Sequence, residues 1–513
     1  MKPQQLTLLL PLIPAAISCG AQEMPKPVNI IYIMTDDHSY QTVSAYDTRY
    51  IKTPNIDRIA AQGVLFENSF VANSISGPSR ACLLTGKHSH INGFTDNTKR
   101  FDTTQMTVAR LLKEGGYQTA MIGKWHLGGH PSTDFDYWRV VPGQGNYYNP
   151  DFITPEGNIV VEGYATDIIT DMGIDYLSSV RDKEKPFMLF LHHKAPHRNW
   201  MGNTPDLDAF EDVTFPIPDN YYDDYRGREA AQVNEMSIIK DMVVASDLKM
   251  VHEQIPDKYG SARSEIRRMN PAQRAAWEAQ YNPITEKFLK DNLQGNELAE
   301  WKFQRYMRDY LKCIKSVDDN IGRLMAYLER EGLLENTLVI YTSDQGFYMG
   351  EHGWFDKRFI YEESLRTPLV ARMPNSMKDA PRGVKVSEMV QNIDHAPMFL
   401  AMAGLEIPAE IQGVSYKSLL EGKHPANWRK SIYYHYYEHP GEHNVHRHYG
   451  VRSADNFTLV HFYSGTMDTW ELYDMNKDKA QMHNVYGKPE YAAKQAELHA
   501  ELDRLREQYK ATE

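Results

Sequence analysis

The chain has 513 residues, of which 42% are apolar and 24% charged, with a formal net charge of −12. That length suits one large α/β domain with a smaller one beside it. The acidic balance argues against a nucleic-acid binder, which carries a basic excess. The three cysteines, Cys19, Cys82 and Cys313, provide no disulfide framework, so stability must come from a large core.

The N-terminus, "MKPQQLTLLLPLIPAAISCGAQE", places one lysine before an apolar stretch from Leu6 to Ile17, too short for a membrane span. It reads as a bacterial export signal over residues 1–19. "AAISC" resembles a lipobox with Cys19 as the lipidated residue, although Ala16 stands where Leu is usual, which leaves ordinary signal-peptidase cleavage open. The expectation is an exported protein, periplasmic or an outer-membrane lipoprotein, touching a membrane only through that lipid.

"VNIIYIM", from Val28 to Met34, is a β-branched apolar run of the kind buried in a parallel sheet, and it stops at Asp36-Asp37. "TPNIDRIAAQG" is a helix opened by Thr-Pro and closed at Gly63. Ser79 through Thr85 forms a short helix with Pro78 in its first turn and Gly86 as its stop, so Ser76 falls just before it. "TVARLLKEGG" is a helix and Thr119 to Ile122 a strand leading to Lys124 and His126. "DIITDMGIDYLSSV" is an amphipathic helix, and "PFMLFLHHKAPH" a strand ending in histidines. Residues 200–297 are polar with weak periodicity and read as a long surface insertion. Met307, Leu311, Ile314, Val317, Ile321, Leu324 and Leu328 mark a long helix. "NTLVIYTSDQG" is a strand ending at Asp344. Alternating strands and helices give a mostly parallel sheet with helices on both faces. After about residue 425 the aromatic, alternating segments give a small antiparallel sheet closed by a terminal helix. The division is a large α/β domain over 25–424 and a C-terminal α+β subdomain over 425–513.

Ligands of open α/β sheets bind beyond the carboxyl ends of the strands. Four strands here end in polar groups: Asp36-Asp37, Lys124 with His126, His193 with His197, and Asp344-Gln345. One such end means little, but four point to a convergent site. Asp36, Asp37, Asp344 and Gln345 offer only oxygen donors, which suit Ca²⁺ or Mg²⁺. An isolated Asp-Asp pair would more often cap a turn, and the matching "SDQG" shifts the balance toward a metal. Cys82, among Ala81, Leu83 and Leu84, reads as an inert packing thiol. Ser76 precedes a helix N-terminus, where an anion is favoured. The residues alone leave it open between a cap and a reacting group.

"SGPSRACLLTG" resembles the signature of the formylglycine-dependent (type I) sulfatases, matching at Ser76, Pro78, Ser79, Arg80, Leu84, Thr85 and Gly86. "NIIYIMTDD", "GKWHLG", "APH" and "SDQG…GEHG…DKR" follow in that family's order, over roughly residues 26–490. The resemblance implies an alkaline-phosphatase-like α/β fold and conversion of Ser76 to Cα-formylglycine (3-oxoalanine). For the serine type it implies an anaerobic radical maturation enzyme as transient partner. It implies Asp36, Asp37, Asp344 and Gln345, with the modified Ser76, as Ca²⁺ ligands, Gln345 standing where Asn or His is commoner. It implies Arg80 steadying the formylglycine hydrate and Lys124 and Lys357 neutralising the sulfuryl group. His126 is implied as the base for sulfate release, and His197, with His193 as the alternative, as the acid protonating the leaving sugar oxygen. "DKRFIYEESLRTPL" resembles the bacterial N-acetylglucosamine-6-O-sulfatases, which makes Asp356 and Arg358 specificity residues against the competing reading of a surface ion pair. "EHNVHRHYGVR" adds His446 and His448 to the pocket, or is a solvated edge. "WELYDMNKDKAQMHN" is similar to the family's closing motif, with Lys479 and Gln481 where Pro and Glu are usual.

The expected function is an exo-acting sulfatase for the 6-O-sulfate of terminal N-acetylglucosamine in a heparin-like or mucin glycan. The competing readings are a sulfatase for a uronyl 2-O-sulfate or aryl sulfate, a phosphatase or phosphonate hydrolase of the same superfamily, and a non-catalytic sulfoglycan-binding lipoprotein with unmodified Ser76.

Overall fold

The apolar run Asn29–Thr35 forms a middle strand of a ten-stranded sheet. In this computed structural model residues 27–131 and 133–511 are described, and the expected signal with Cys19 lies outside them. Five strands run parallel at the centre, in the order Thr337–Ser343, Asn29–Thr35, Phe187–His192, Gln118–Lys124 and Tyr137–Val141. Antiparallel pairings extend the sheet on both flanks, through Leu369–Arg372 and Asp151–Thr154. A strand buried on both faces must be apolar at every position, and the alternation of its side chains divides them between two cores. Ile31 and Ile33 enter one core with helices Pro54–Ala61, Ala165–Asp175 and Gly295–Arg330. Ile30, Tyr32 and Met34 enter the other with helices Ser76–Thr85, Val108–Glu114 and His395–Ala403. Among the described residues no helix is long and apolar enough to cross a membrane.

Register decides where the strand-end residues meet. Thr35 lies opposite Ser343, and His192 lies opposite both Met34 and Gly123. The residues that follow, Asp36, Asp344, His193 and Lys124, therefore emerge along one edge.

Two expectations change. Residues 200–297 are not a surface insertion. They place Trp200, Met201, Phe215, Tyr221, Ile238, Met242, Leu248, Met250, Trp277 and Tyr281 in the first core. Trp277 stacks on Tyr281 at 4.1 Å between ring centroids, and Tyr281 Oη donates to Asp309 Oδ1 at 2.7 Å. The apolar residues are large but widely spaced, so they cover the long helix without a periodic signature of their own. The second change concerns the signature helix, which begins at Ser76 rather than Ser79. Ile75 is the extended N-cap residue and supplies no side-chain cap, so nothing in the residue types marks this start. Gly86 closes the helix at φ +64°, as expected of a left-handed stop.

The strands Ser431–Tyr436, His448–Ser453, Phe457–Ser464 and Met467–Asp474 form the antiparallel C-terminal sheet. One face takes Leu498, Leu502 and Leu505 of helix Ala492–Gln508. The other packs Tyr434, Tyr436 and Phe462 onto Phe359, Tyr361 and Leu365. This second contact brings the small subdomain against the segment that carries Lys357.

Trp277 is 2% exposed. Replacing it by alanine is expected to destabilise the protein by about 3–5 kcal/mol, as for large aromatic truncations in cores. Urea unfolding checks this, and a change within about 0.5 kcal/mol would return residues 200–297 to the surface.

Candidate active site

Ser76 sits at the base of the parallel edge, 2% exposed. Its Oγ donates to Asp36 Oδ1 at 3.0 Å and accepts from Gln345 Nε2 at 3.3 Å. Asp36 and Asp37 follow the strand Asn29–Thr35, and Asp344 and Gln345 follow Thr337–Ser343. The backbone N–H of Asp37 donates to Asp344 Oδ1 at 3.1 Å, which binds the two strand ends together.

Three cations face these three carboxylates. Arg80, one helical turn beyond Ser76, donates through Nε and Nη2 to Asp344 Oδ2 at 3.1 and 2.9 Å, and through Nη1 to the Lys124 carbonyl at 2.8 Å. Lys124 Nζ pairs with Asp36 Oδ2. Lys357 Nζ pairs with Asp37 Oδ2 at 2.8 Å. His197 Nε2 lies 3.8 Å from the same oxygen, while its Nδ1 contacts the Arg198 carbonyl at 2.7 Å. That second contact sets Nδ1–H as the donor and leaves Nε2 facing the site.

Burial and repulsion shape the ionisation here. Burial, with Asp36 and Asp344 adding to it against Lys357, pushes Asp37 up to about 7. Burial, with Asp36 next, also raises Asp344. Burial opposes ionisation of Asp36 too, but the fixed cations Lys124, Arg80 and Lys357 outweigh it and hold Asp36 well below the usual carboxylate range. Burial brings Lys124 down to about 8. Burial, with the neighbouring lysines, holds His126 and His197 well below the ordinary imidazole value, so both are neutral.

The donor set fits a hard cation. Asp36, Asp37 and His197 each present a ligand atom within 4.8 Å of one another. Gln345 Oε1 is buried without a hydrogen-bond partner, and turning its amide over presents that oxygen to Asp37 and Ser76. Carboxylate and amide oxygens are ligands for Ca²⁺ or Mg²⁺, and the repulsion that raises Asp37 and Asp344 is what a bound cation relieves. His197 joins this cluster as a further donor of the kind that softer metals prefer.

The remaining expected residues fall into two groups. His126 adopts φ +55°, has a buried Nδ1 without a partner, and lies with its carbonyl against the Ser76–Gly77 turn. Asp356 and Arg358 adopt φ +76° and +100°. Such conformations cost about 1–3 kcal/mol each and persist where contacts over-determine them, typically at functional sites. His193 is fully buried with neither ring nitrogen bonded, which sets it apart from the carboxylate cluster. His448 is also fully buried, stacked among Phe359, Tyr434, Tyr436 and Phe462, with Nδ1 on the His446 carbonyl. It packs behind Tyr436 rather than lining a pocket. His446 is half-buried and contacts Ser464 Oγ. The histidine of that segment that reaches the site is His443, whose Nε2 lies 2.8 Å from Asp356 Oδ2 and whose Nδ1 lies 2.7 Å from the Glu235 carbonyl. Its residue type could not single it out among 20 histidines. Cys82 is fully buried and burial pushes its thiol up to about 12, the state of an inert packing group. Gln481 is buried, and its Oε1 accepts the Glu362 N–H at 2.9 Å, a structural use of the departure in the closing motif.

Residues 28–405 match the sulfatase family model, and residues 350–508 match the model of the N-sulphoglucosamine sulphohydrolase C-terminal region. The chain is 50% identical to an N-acetylglucosamine-6-O-sulfatase of Bacteroides thetaiotaomicron, over 99% of this chain and 92% of that protein. A solved structure described as a complex with its substrate, D-glucosamine-2-N,6-O-disulfate, superposes with a TM-score of 0.91 at 50% identity, covering 95% of this chain and 99% of that one. The phosphonate monoester hydrolase of Agrobacterium radiobacter shares the fold at 21% identity, with a TM-score of 0.69 over 94% of this chain and 96% of that one. Signature residues, fold and full-length relatives agree, and the chain belongs to the sulfatase family of sulfuric ester hydrolases.

Proposed function

We propose that the protein is an exported, exo-acting carbohydrate sulfatase that hydrolyses the 6-O-sulfate ester of a terminal glucosamine residue, N-acetylglucosamine foremost, in a sulfated glycan. The observation that carries this reading is the Ser76 hydroxyl held between Asp36 and Gln345 inside a ring of three carboxylates and three cations. The choice of sugar rests on the 50% identity to a protein of that activity and on the Asp356–Lys357–Arg358 segment.

A serine hydroxyl is a weak nucleophile unless activated, and the carboxylate that accepts from Ser76 Oγ, Asp36, is paired with Lys124 and held well below the usual carboxylate range, so it is a poor base. Conversion of Ser76 to formylglycine by an anaerobic maturation enzyme supplies, as the aldehyde hydrate, one hydroxyl to attack sulfur and a second whose deprotonation expels sulfate. Asp36, Asp37, Asp344 and Gln345 would hold a Ca²⁺ beside it, which supplies positive charge to the sulfate oxygens.

The chain's own residues do the rest. Arg80 is fixed by Asp344 and the Lys124 carbonyl, so its guanidinium steadies the Ser76 turn without moving. Lys124, held by Asp36, and Lys357, held by Asp37, stabilise negative charge on the transferring group, a role that pays little reorganisation because both ammonium groups are already held in place. His197 presents Nε2 toward the site, and an anionic ester beside it favours its protonated form, so that it can protonate the departing sugar oxygen. His126, neutral, with its carbonyl against the Ser76–Gly77 turn and a buried Nδ1 without a hydrogen-bond partner, can take the proton whose removal lets sulfate leave.

Three outcomes test this reading. Mass spectrometry of the Ser76 peptide, from protein made with its maturation partner, should show a mass lighter by two hydrogens, whereas unmodified serine in active protein from the native host refutes the conversion. In a panel of sulfated monosaccharides with phosphate esters alongside, 6-O-sulfo-N-acetylglucosamine should be hydrolysed fastest. Another sulfate overturns the sugar assignment, and a phosphate ester overturns the reaction class. Calcium at 100 times its dissociation constant should add about 2.7 kcal/mol to stability by mass action, read as a rise in Tm that EGTA reverses. In the calcium-free protein the raised Asp37 takes up a proton more readily than in the unfolded chain, so its contribution to stability falls as pH rises from the ordinary carboxylate range to about 7. Calcium must displace that proton below about 7, so the calcium-dependent rise in Tm should be larger at alkaline than at acidic pH. A site indifferent to calcium would leave Tm unchanged at every pH.

A further inference from the structure

Arg358 directly follows Lys357, and its side chain is 3% exposed. Its Nη1 donates to Tyr436 Oη at 3.3 Å and to Glu438 Oε1 at 3.3 Å, and its Nη2 donates to Glu442 Oε2 at 3.4 Å. Glu442 is 62% exposed, so its pairing is strongly screened, whereas Glu438 is 11% exposed and holds the arginine more firmly.

Glu438 has a second contact. Its Oε2 accepts the backbone N–H of Asn97 at 3.2 Å. Asn97 Oδ1 in turn accepts the backbone N–H of Gly77 at 3.2 Å. That N–H belongs to the first turn of the helix Ser76–Thr85, where donors lack intrahelical partners. The fit is close, since a Cβ built on Gly77 would stand 2.6 Å from Asn97 Oδ1 and 2.6 Å from Phe94 Cε1. A continuous path of hydrogen bonds thus runs from Arg358 through Glu438 and Asn97 to the residue next to Ser76. Glu438 belongs to the C-terminal subdomain and Asn97 and Gly77 to the catalytic domain, so the path also crosses between them.

We propose that Glu438 and Asn97 are positioning residues that tie the sugar-facing Arg358 to the Ser76–Gly77 turn, so that the hold on the sugar and the placement of the nucleophile are set by one hydrogen-bonded unit. The proposal rests on the sulfatase reading above for the roles of Ser76 and Arg358. The two oxygens of the Glu438 carboxylate keep a fixed separation, so a shift of Arg358 moves the acceptor offered to Asn97. Reaction rates respond steeply to such shifts, and a misplacement of about 1 Å can cost about 100-fold.

Glu438 holds both ends of the tie and Asn97 only the Ser76 end, so the two should fail differently. Steady-state kinetics of the matured protein, with the ester of the panel that the wild type hydrolyses best, separates them. Glu438→Ala releases Arg358 and the Asn97 N–H together and should raise KM about 10-fold while also lowering kcat about 5-fold, because binding and placement of the reacting group are lost at once. Asn97→Ala releases the Gly77 N–H and should lower kcat about 5–10-fold with KM within about threefold, the pattern of a misplaced reacting group. Asn97→Asp, which keeps an oxygen for Gly77, should restore most of that kcat. A loss of folded protein lowers kcat and leaves KM alone in every variant, so a Glu438→Ala protein showing only that pattern overturns the proposal, as does one whose KM rises with kcat unchanged. So does an Asn97→Ala protein with wild-type kcat, or a failure of Asn97→Asp to recover. If the wild type prefers an ester other than 6-O-sulfo-N-acetylglucosamine, the sugar assignment fails while the same variants still test the tie on the preferred ester.

Discussion

Three carboxylates buried at one end of a parallel sheet cannot stand alone. Asp36, Asp37 and Asp344 are each 1% exposed or less, and an uncompensated buried charge costs several kcal/mol. Arg80, Lys124 and Lys357 answer them, and each comes from a different part of the chain: the first from a helix, the second from a strand end, the third from a loop. The placement of those three elements is therefore constrained by one electrostatic requirement. Removing any member leaves an opposite charge buried and unpaired, so the cluster is maintained as a whole. The same requirement yields the chemistry, because fixed positive groups in a dry site are what an anionic ester with a developing charge needs.

The loop with Lys357 shows how the fold holds that arrangement. Asp356 and Arg358 both adopt left-handed backbone conformations, which an isolated loop would abandon. His443 secures Asp356, and Tyr436, Glu438 and Glu442 secure Arg358. All of these partners come from the C-terminal subdomain, which packs Tyr434, Tyr436 and Phe462 against Phe359, Tyr361 and Leu365. The small antiparallel sheet thus holds the loop that carries Lys357, and the strain at Asp356 and Arg358 is offset by contacts across a domain boundary.

Much of the site was legible because charge at a strand end is visible in sequence. Asp36-Asp37, Lys124 and Asp344-Gln345 each follow an apolar run, and a parallel sheet aligns such ends by its register. The signature around Ser76 carried the rest. The layer formed by residues 200–297 was not legible. Trp200, Trp277 and Tyr281 are buried by what they meet in the folded protein, and the polar residues between them mask any period. The start of the signature helix escaped for a local reason, since Ile75 caps it without a side-chain bond. His443 was passed over for His446 and His448 because all three lie in one histidine-rich segment. Only the turn in which His443 adopts φ +68° decides which ring meets Asp356.

The sequence by itself determined the class of fold, the strand-end oxygen donors, the sulfatase signature around Ser76 and the inert character of Cys82. Each of these depends on local pattern: an apolar run, a signature spacing, a thiol among aliphatic neighbours. Only the tertiary structure decided which carboxylate each cation faces, that the central region is core rather than insertion, and which residues of the C-terminal subdomain close the pocket around Arg358. Those are contacts between segments well separated in the chain, from Arg358 with Tyr436 at a separation of 78 to Asp37 with Lys357 at 320. Residue spacing along a chain sets a helix face or a strand register, but the partner across a cleft is set by the packing of whole layers.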